Sequence, residues 1–131
     1  MTRDPVMLKP GDTVLDAARI MRDHDIGTVL VSDKDQLVGM LTDRDIVVRA
    51  VADKADVSAM KVDQIASKEI TALAPEDPLD KAVKLMRSRA VRRFPVVKAG
   101  KPVGVLTIGD MAVELDPKSA LADLSAADPN R

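Results

Sequence analysis

GMLTDRD at residues 39–45 returns as GVLTIGD at residues 104–110, so the chain writes Gly-x-Leu-Thr-x-x-Asp twice. Working outward from this pair, every position from Pro10 to Asp45 can be matched, without a gap, to the position 65 residues further on. The identities are Pro10/Pro75, Asp12/Asp77, Ala17/Ala82, Met21/Met86, Arg22/Arg87, Val31/Val96, Val38/Val103, Gly39/Gly104, Leu41/Leu106, Thr42/Thr107 and Asp45/Asp110. Pairs such as Val14/Leu79, Ile20/Leu85 and Ile26/Val91 exchange like for like. This is an internal duplication.

Each copy predicts the same order of elements. Val14, Ala17, Ala18 and Met21 recur at helical spacing behind a capping residue, Asp12 or Thr13, and Gly27 is expected to end the run. Two β-rich runs follow, 28–32 and 37–41, around the polar turn Ser32 to Gln36. Ile46, Val47, Ala50 and Val51 then return to helical spacing. The second copy predicts a helix at 78–89, strands at 93–97 and 102–106 around Ala99-Gly100, and a helix at 108–115. With a short extended piece before each copy, Val6 to Leu8 and Ile70 to Leu73, the pattern is β-α-β-β-α.

The expected division is 1–54 for the first repeat, 55–61 for a linker, 62–115 for the second repeat and 116–131 for a tail that is a short helix or disordered. A short helix is expected near 61–66. By register Ala66 to Glu69 fall on Met1 to Asp4, so the first copy looks trimmed at its start.

With 46% apolar residues the whole chain can bury one good core, whereas half of it alone would be marginal. The copies are therefore expected to pack on one another. Lys+Arg at 20 against Asp+Glu at 21 leaves a net charge of −1, which disfavours nucleic acid or an anionic membrane as partner. No apolar run approaches the roughly 20 residues that span a bilayer, and MTRDPVMLKP lacks the apolar core of a signal peptide. Zero cysteine gives no sign of an oxidising compartment, so a cytoplasmic location is expected.

The repeated motif has two readings. Thr42 ends a strand and precedes a helix, which puts it at the N-cap with Asp45 three residues on, and Thr107 and Asp110 stand likewise. One reading is a capping box that satisfies backbone N–H groups and needs no ligand. In the other, the helix start and hydroxyl receive an anion while the carboxylate accepts the two hydroxyls of a ribose.

Other groups are less suited to chemistry. The one histidine, His24, lies between Asp23 and Asp25, but neighbours on a helix point apart, so metal binding is not expected. Met21, Met40, Met86 and Phe94 read as core. Without cysteine, a Gly-x-Ser-x-Gly elbow or a glycine-rich phosphate loop, no enzyme activity is expected.

The order Ala17, Met21, Ile26, Val29-Leu30-Val31, Gly39 to Asp45, with its copy Ala82, Met86, Val91, Phe94-Pro95-Val96-Val97, Gly104 to Asp110, resembles the cystathionine-β-synthase (CBS) domain. Two in tandem look like a Bateman module, and MRDHDIG and GMLTDRDIVVRAV resemble stand-alone bacterial CBS pairs of the hypoxic-response type. The resemblance implies an α/β (α+β) fold of two β-α-β-β-α repeats packed about a pseudo-twofold axis. It also implies two clefts for AMP, ADP, ATP or S-adenosylmethionine, with no cofactor required.

Carried over by motif, Thr42 and Asp45 would anchor ribose and phosphate in one cleft, and Thr107 and Asp110 in the other. The adenine pockets would draw on Val6, Met7, Ile26 and Thr28, and on Ile70, Thr71, Val91 and Arg93. Arg44, Arg92 and Arg93 are candidate phosphate contacts, although Asp43 sets a repelling carboxylate beside Arg44. Strand alternation sends Arg92 and Arg93 to opposite faces, so one at most would enter the cleft, and both also read as ordinary surface charges. Copy one departs from copy two in having Leu30 opposite Pro95. The implied function is a non-catalytic sensor module that binds an adenosine-containing ligand and forms a homodimer through helix faces such as DIVVRAVA and DMAVEL. The alternative is a ligand-free interaction or dimerisation module.

Overall fold

The computed structural model describes residues 2–3, 5–89, 93–107 and 110. Helix α1 spans Val14–His24 and buries Val14, Ala17 and Met21. Of the two expected caps Thr13 is the one used: its hydroxyl accepts from Asp16 N–H at 3.1 Å, and the Asp16 carboxylate accepts from Thr13 N–H at 3.1 Å. Asp12 instead closes the preceding turn by accepting from Lys9 N–H. The helix stops before Gly27, at Asp25, which takes a left-handed backbone with φ 54° and donates its N–H to the Met21 carbonyl. Aspartate tolerates that region because its short polar side chain can bond locally.

Strands β3 (Thr28–Asp33) and β4 (Gln36–Thr42) form the first hairpin, and β5 (Arg93–Lys98) and β6 (Lys101–Thr107) the second. Both carry a register shift at the matching place, Val31/Ser32 and Val96/Val97. Short strand β2 (Met7–Leu8) runs parallel to β3, while β1 (Thr2–Arg3) pairs antiparallel with β6. The two sheets are thus β2-β3-β4 and β1-β6-β5.

The leading segment of each repeat pairs with the other repeat's hairpin. Thr2 lies opposite Val105, and at the matching positions Ser67 bridges Met40, each donating to the other at 2.9 Å. A side chain at Gly39 would approach the Ala66 methyl to 3.2 Å, so the motif's first residue must be small for the second repeat's leading segment to cross β4. This crossing also accounts for the segment near 61–66. It forms a single 3-10 turn, Val62–Gln64, because the chain must then extend to reach Met40.

The second repeat's leading segment makes an isolated parallel bridge, Leu73 to Val96, where the first has a strand. Leu30 N–H donates to the Val6 carbonyl at 3.2 Å, but the residue matching Leu30 is Pro95, which has no N–H to give. Bonds from Leu73 N–H to Pro95 O and from Val97 N–H to Leu73 O remain.

Helix α2 (Asp43–Ile46) passes into a π turn, Val47–Val51; Ile46 and Ala50 lie in the core, and Val47, Val48 and Val51 are exposed. Helix α3 spans Leu79–Arg89. One apolar cluster joins Val14, Ala17, Met21, Val29, Val31, Leu41, Ile46 and Ala50 to Val62 and Ile65, in and just after the 3-10 turn. Another gathers Leu73, Ala82 and Phe94, with Leu79, Val83, Leu85, Met86 and Leu106 against it. Phe94 is wholly buried, as a core residue should be, while Met40 and Met86 are half-buried. The helix expected at 108–115 and the tail 116–131 lie outside the described residues.

Candidate functional site

Both motifs form the same local structure. Thr42 N–H donates to Asp45 Oδ2 at 2.9 Å and Asp45 N–H to the Thr42 hydroxyl at 3.1 Å; for Thr107 and Asp110 the corresponding distances are 2.9 and 3.2 Å. The strand ends with an extended Thr42 and turns at once into α2, so strand, cap and carboxylate are fixed relative to one another. Asp45 and Asp110 are half-buried.

Strand register places Thr28 opposite Thr42 and Arg93 opposite Thr107 at the open ends of the hairpins. Arg93 then crosses between repeats: its Nη1 donates to the Gly27 carbonyl at 3.1 Å and to the Thr28 hydroxyl at 2.8 Å. Thr28 and Arg93 are matching positions of the duplication, and matching positions meet each other beside a pseudo-twofold axis. Arg93 is therefore half-buried between the repeats, which corrects its reading as an ordinary surface charge. The same Gly27 carbonyl accepts from Asp43 N–H at 3.0 Å.

The other sequence candidates are less closely joined. Val6 is half-buried and accepts from Leu30; Met7, on β2, is 39% exposed. Ile26 packs against the first apolar cluster, and its N–H bonds Met21 O. Ile70 and Thr71 are half-buried on the approach to Leu73. Arg44 is exposed beside exposed Asp43, whose carboxylate accepts the Arg44 N–H at 2.8 Å. Val91 and Arg92 lie outside the described residues. The structure thus gathers Thr28, Thr42, Asp43, Arg93 and Thr107 at the hairpin ends, and adds Gly27, which sequence reasoning took for a helix stop. The signal was the mismatch of Gly27 with bulky Arg92 at the matching position.

His24 is exposed at the end of α1, and among the described residues no three His, Asp or Glu side chains are grouped to hold a metal. A cavity of about 390 Å³, lined by Lys9, Ser32, Asp33, Lys34 and Asp35, lies at the tip of the first hairpin, away from both motifs. No described helix is long and apolar enough to cross a membrane. What the motif ends offer is hydrogen-bond chemistry: carboxylate acceptors, threonine hydroxyls and one guanidinium.

Comparison with known proteins agrees with this geometry. The CBS domain family matches residues 1–51 and again 62–116. The CBS domain-containing protein YhcV of Bacillus subtilis is 35% identical, over 86% of this chain and 80% of its own. Hypoxic response protein 1 of Mycobacterium tuberculosis is 34% identical, over 88% and 81%. Among solved structures, a putative signal-transduction protein with CBS domains from Burkholderia ambifaria has a TM-score of 0.80 at 28% identity, covering 89% of this chain and 86% of that one. The CBS domain pair of protein MJ0100, solved in complex with 5′-methylthioadenosine and S-adenosyl-L-methionine, has a TM-score of 0.77 at 22% identity over 87% and 93%, a likeness of fold alone. With two family matches on one chain, a shared fold and relatives of similar length, this protein belongs to the CBS domain family as a tandem pair.

Proposed function

We propose that this CBS pair is a non-catalytic, cytoplasmic regulatory module that binds an adenosine-containing ligand: AMP, ADP, ATP or S-adenosylmethionine. One cleft is anchored by Thr42 and Asp45 and the other by Thr107 and Asp110, within repeats 1–54 and 62–115. The observation that carries this reading is the repeated reciprocal Thr–Asp pair, built at matching ends of two hairpins that meet through Thr28 and Arg93. A ribose presents two adjacent hydroxyl donors, which a positioned carboxylate accepts as strong charge-assisted bonds. A ligand touching both repeats favours the arrangement it contacts best and so reports its presence by shifting populations. Val47, Val48 and Val51, 50 to 60% exposed, supply an apolar face for a second copy of the chain.

The completeness of both capping boxes favours a second reading, a ligand-free interaction module, since the motif is satisfied by itself. Titration calorimetry with AMP, ADP, ATP, S-adenosylmethionine and guanosine monophosphate separates the two when repeated with Asp45→Asn and Asp110→Asn. Saturable adenosine binding, lost with one variant or the other, supports the sensor. Absence of heat, together with no thermal stabilisation at millimolar ligand, where a micromolar site adds about 4 kcal/mol, supports the interaction module.

A further inference from the structure

The contact between the repeats has a one-sided chemistry. At matching positions 28 and 93 stand a threonine and an arginine, and only the arginine can reach. Its Nη1 spans to Gly27 O and Thr28 Oγ1 in the first repeat. Gly27 O is also the acceptor for Asp43 N–H, the first residue of α2 and the neighbour of Thr42. A Cβ placed on Gly27 would lie 3.0 Å from Asp43 Oδ2 and 3.3 Å from Arg93 Nη2, so carboxylate and guanidinium flank the same glycine. The hairpin tips make a separate contact, where Leu37 N–H donates to Gly100 O at 3.0 Å. Its counterpart is barred because Pro102 matches Leu37 and has no N–H. The tip contact lies at the far end of the hairpins from the motifs and includes no motif residue.

We infer that Arg93 is a positioning residue by which the second repeat sets the start of α2 in the first, and with it the geometry of Thr42 and Asp45. The inference concerns the cleft assigned above and, for its effect on ligand, rests on that assignment. One carbonyl oxygen ties the two repeats: Arg93 holds it from one side and Asp43 N–H from the other. When Arg93 is removed, the Gly27 peptide loses its anchor across the axis, and the strand-to-helix corner that Asp43 begins is freed to open. An arginine is suited to this because its long stem reaches across the axis and its planar fork keeps one nitrogen on two acceptors.

The test is amide hydrogen exchange by NMR on the full-length, ligand-free chain, with Arg93→Gln, Arg93→Lys and Thr28→Val. Opening governs exchange of a bonded amide, so in Arg93→Gln the Asp43 amide should exchange at least about tenfold faster. The Met40 amide, held by Ser67, should keep its rate. Thr28→Val leaves the Gly27 acceptor and should give a smaller increase, and Arg93→Lys, which keeps a donor, should recover part of the protection. An Asp43 rate within about twofold of wild type, or equal acceleration at Met40, overturns the inference. As a second readout, AMP affinity is measured in the Asp110→Asn background, which leaves the Thr42–Asp45 cleft. Arg93→Gln should weaken it several-fold and Arg93→Lys restore part; unchanged affinity alongside faster Asp43 exchange overturns the positioning role. A wild-type chain that takes up no AMP counts against the nucleotide reading, and the exchange rates then decide the role of Arg93 by themselves.

Discussion

The two repeats share one sequence pattern but are finished by different means. The first hairpin's core is completed by the segment between Ala55 and Ile65, with Val62 fully buried, Ile65 5% exposed, and Ala55, Val57 and Met60 packed against the same cluster. The second hairpin gains β1, from the beginning of the chain, along its β6 edge. The first repeat enters α1 through a full Thr13–Asp16 capping box, whereas the second has Pro78 where Thr13 would be; the turn just before is closed alike in both, by Asp12 on Lys9 N–H and by Asp77 on Ala74 N–H. Leu30 and Leu37 donate backbone bonds that Pro95 and Pro102 cannot. A duplicated fold can thus keep its motif geometry to within a tenth of an ångström while its supports diverge.

The comparison is tested most severely in the cores. Phe94→Ala should cost about 3–5 kcal/mol, and Ile65→Ala, outside both hairpins, about 2–5 kcal/mol, since each deletes fully packed atoms and leaves a cavity. Denaturant unfolding measures both. If Ile65→Ala cost less than about 0.5 kcal/mol, as surface changes do, the segment between the hairpins would be a tether rather than part of the first core.

Next in size is the ligand effect. Losing one charge-assisted acceptor costs about 1.5–3 kcal/mol, so Asp45→Asn or Asp110→Asn should weaken its own cleft by about 10- to 100-fold. Calorimetry with both variants also ranks the clefts, and equal losses at both would show that the divergent supports leave ligand binding untouched.

A smaller effect belongs to the cap that only the first repeat has. Thr13→Ala should cost about 1 kcal/mol, read from the urea midpoint, while Pro78→Ala removes no side-chain cap and should not reproduce it. A loss of the same size at Pro78 would erase that distinction.

The smallest effect is on pH. Thr13 N–H holds the Asp16 carboxyl below its ordinary range, and Ala74 N–H does the same for Asp77. Because the folded pKa is depressed, the stabilisation is full above the unfolded value near 4 and is lost as pH falls through the folded one. Asp16→Asn and Asp77→Asn should each destabilise at pH 7 and approach wild type at pH 2–3 in thermal melts. A penalty that persists undiminished in acid would assign it to packing.

Much of this was legible locally. The hairpins, α1, α3 and the Thr42–Asp45 cap follow from period, turn residues and a four-residue string, all of which act within one turn of chain. The crossing of Thr2–Arg3 and Ser67 onto the opposite repeats was not legible, because a two-residue strand or a single bridge has no period and the partners lie 103 positions away for Thr2 (105 − 2) and 27 for Ser67 (67 − 40). Nor was the π turn, since Ile46, Val47, Ala50 and Val51 fit an ordinary helix equally well. Arg93 carried a usable clue in hindsight: its match with Thr28 implies a meeting at the axis, once the axis is known. The function of the Thr–Asp pairs lies further still from the pattern, because cap and ribose site ask for the same residues.

The most direct measurement is an amide chemical-shift titration of the full chain with AMP and, separately, S-adenosylmethionine. The account predicts saturable shifts concentrated at Thr42 to Asp45, Thr107 to Asp110 and Thr28. Shifts absent at millimolar ligand, or confined to residues away from both Thr–Asp pairs, would contradict it.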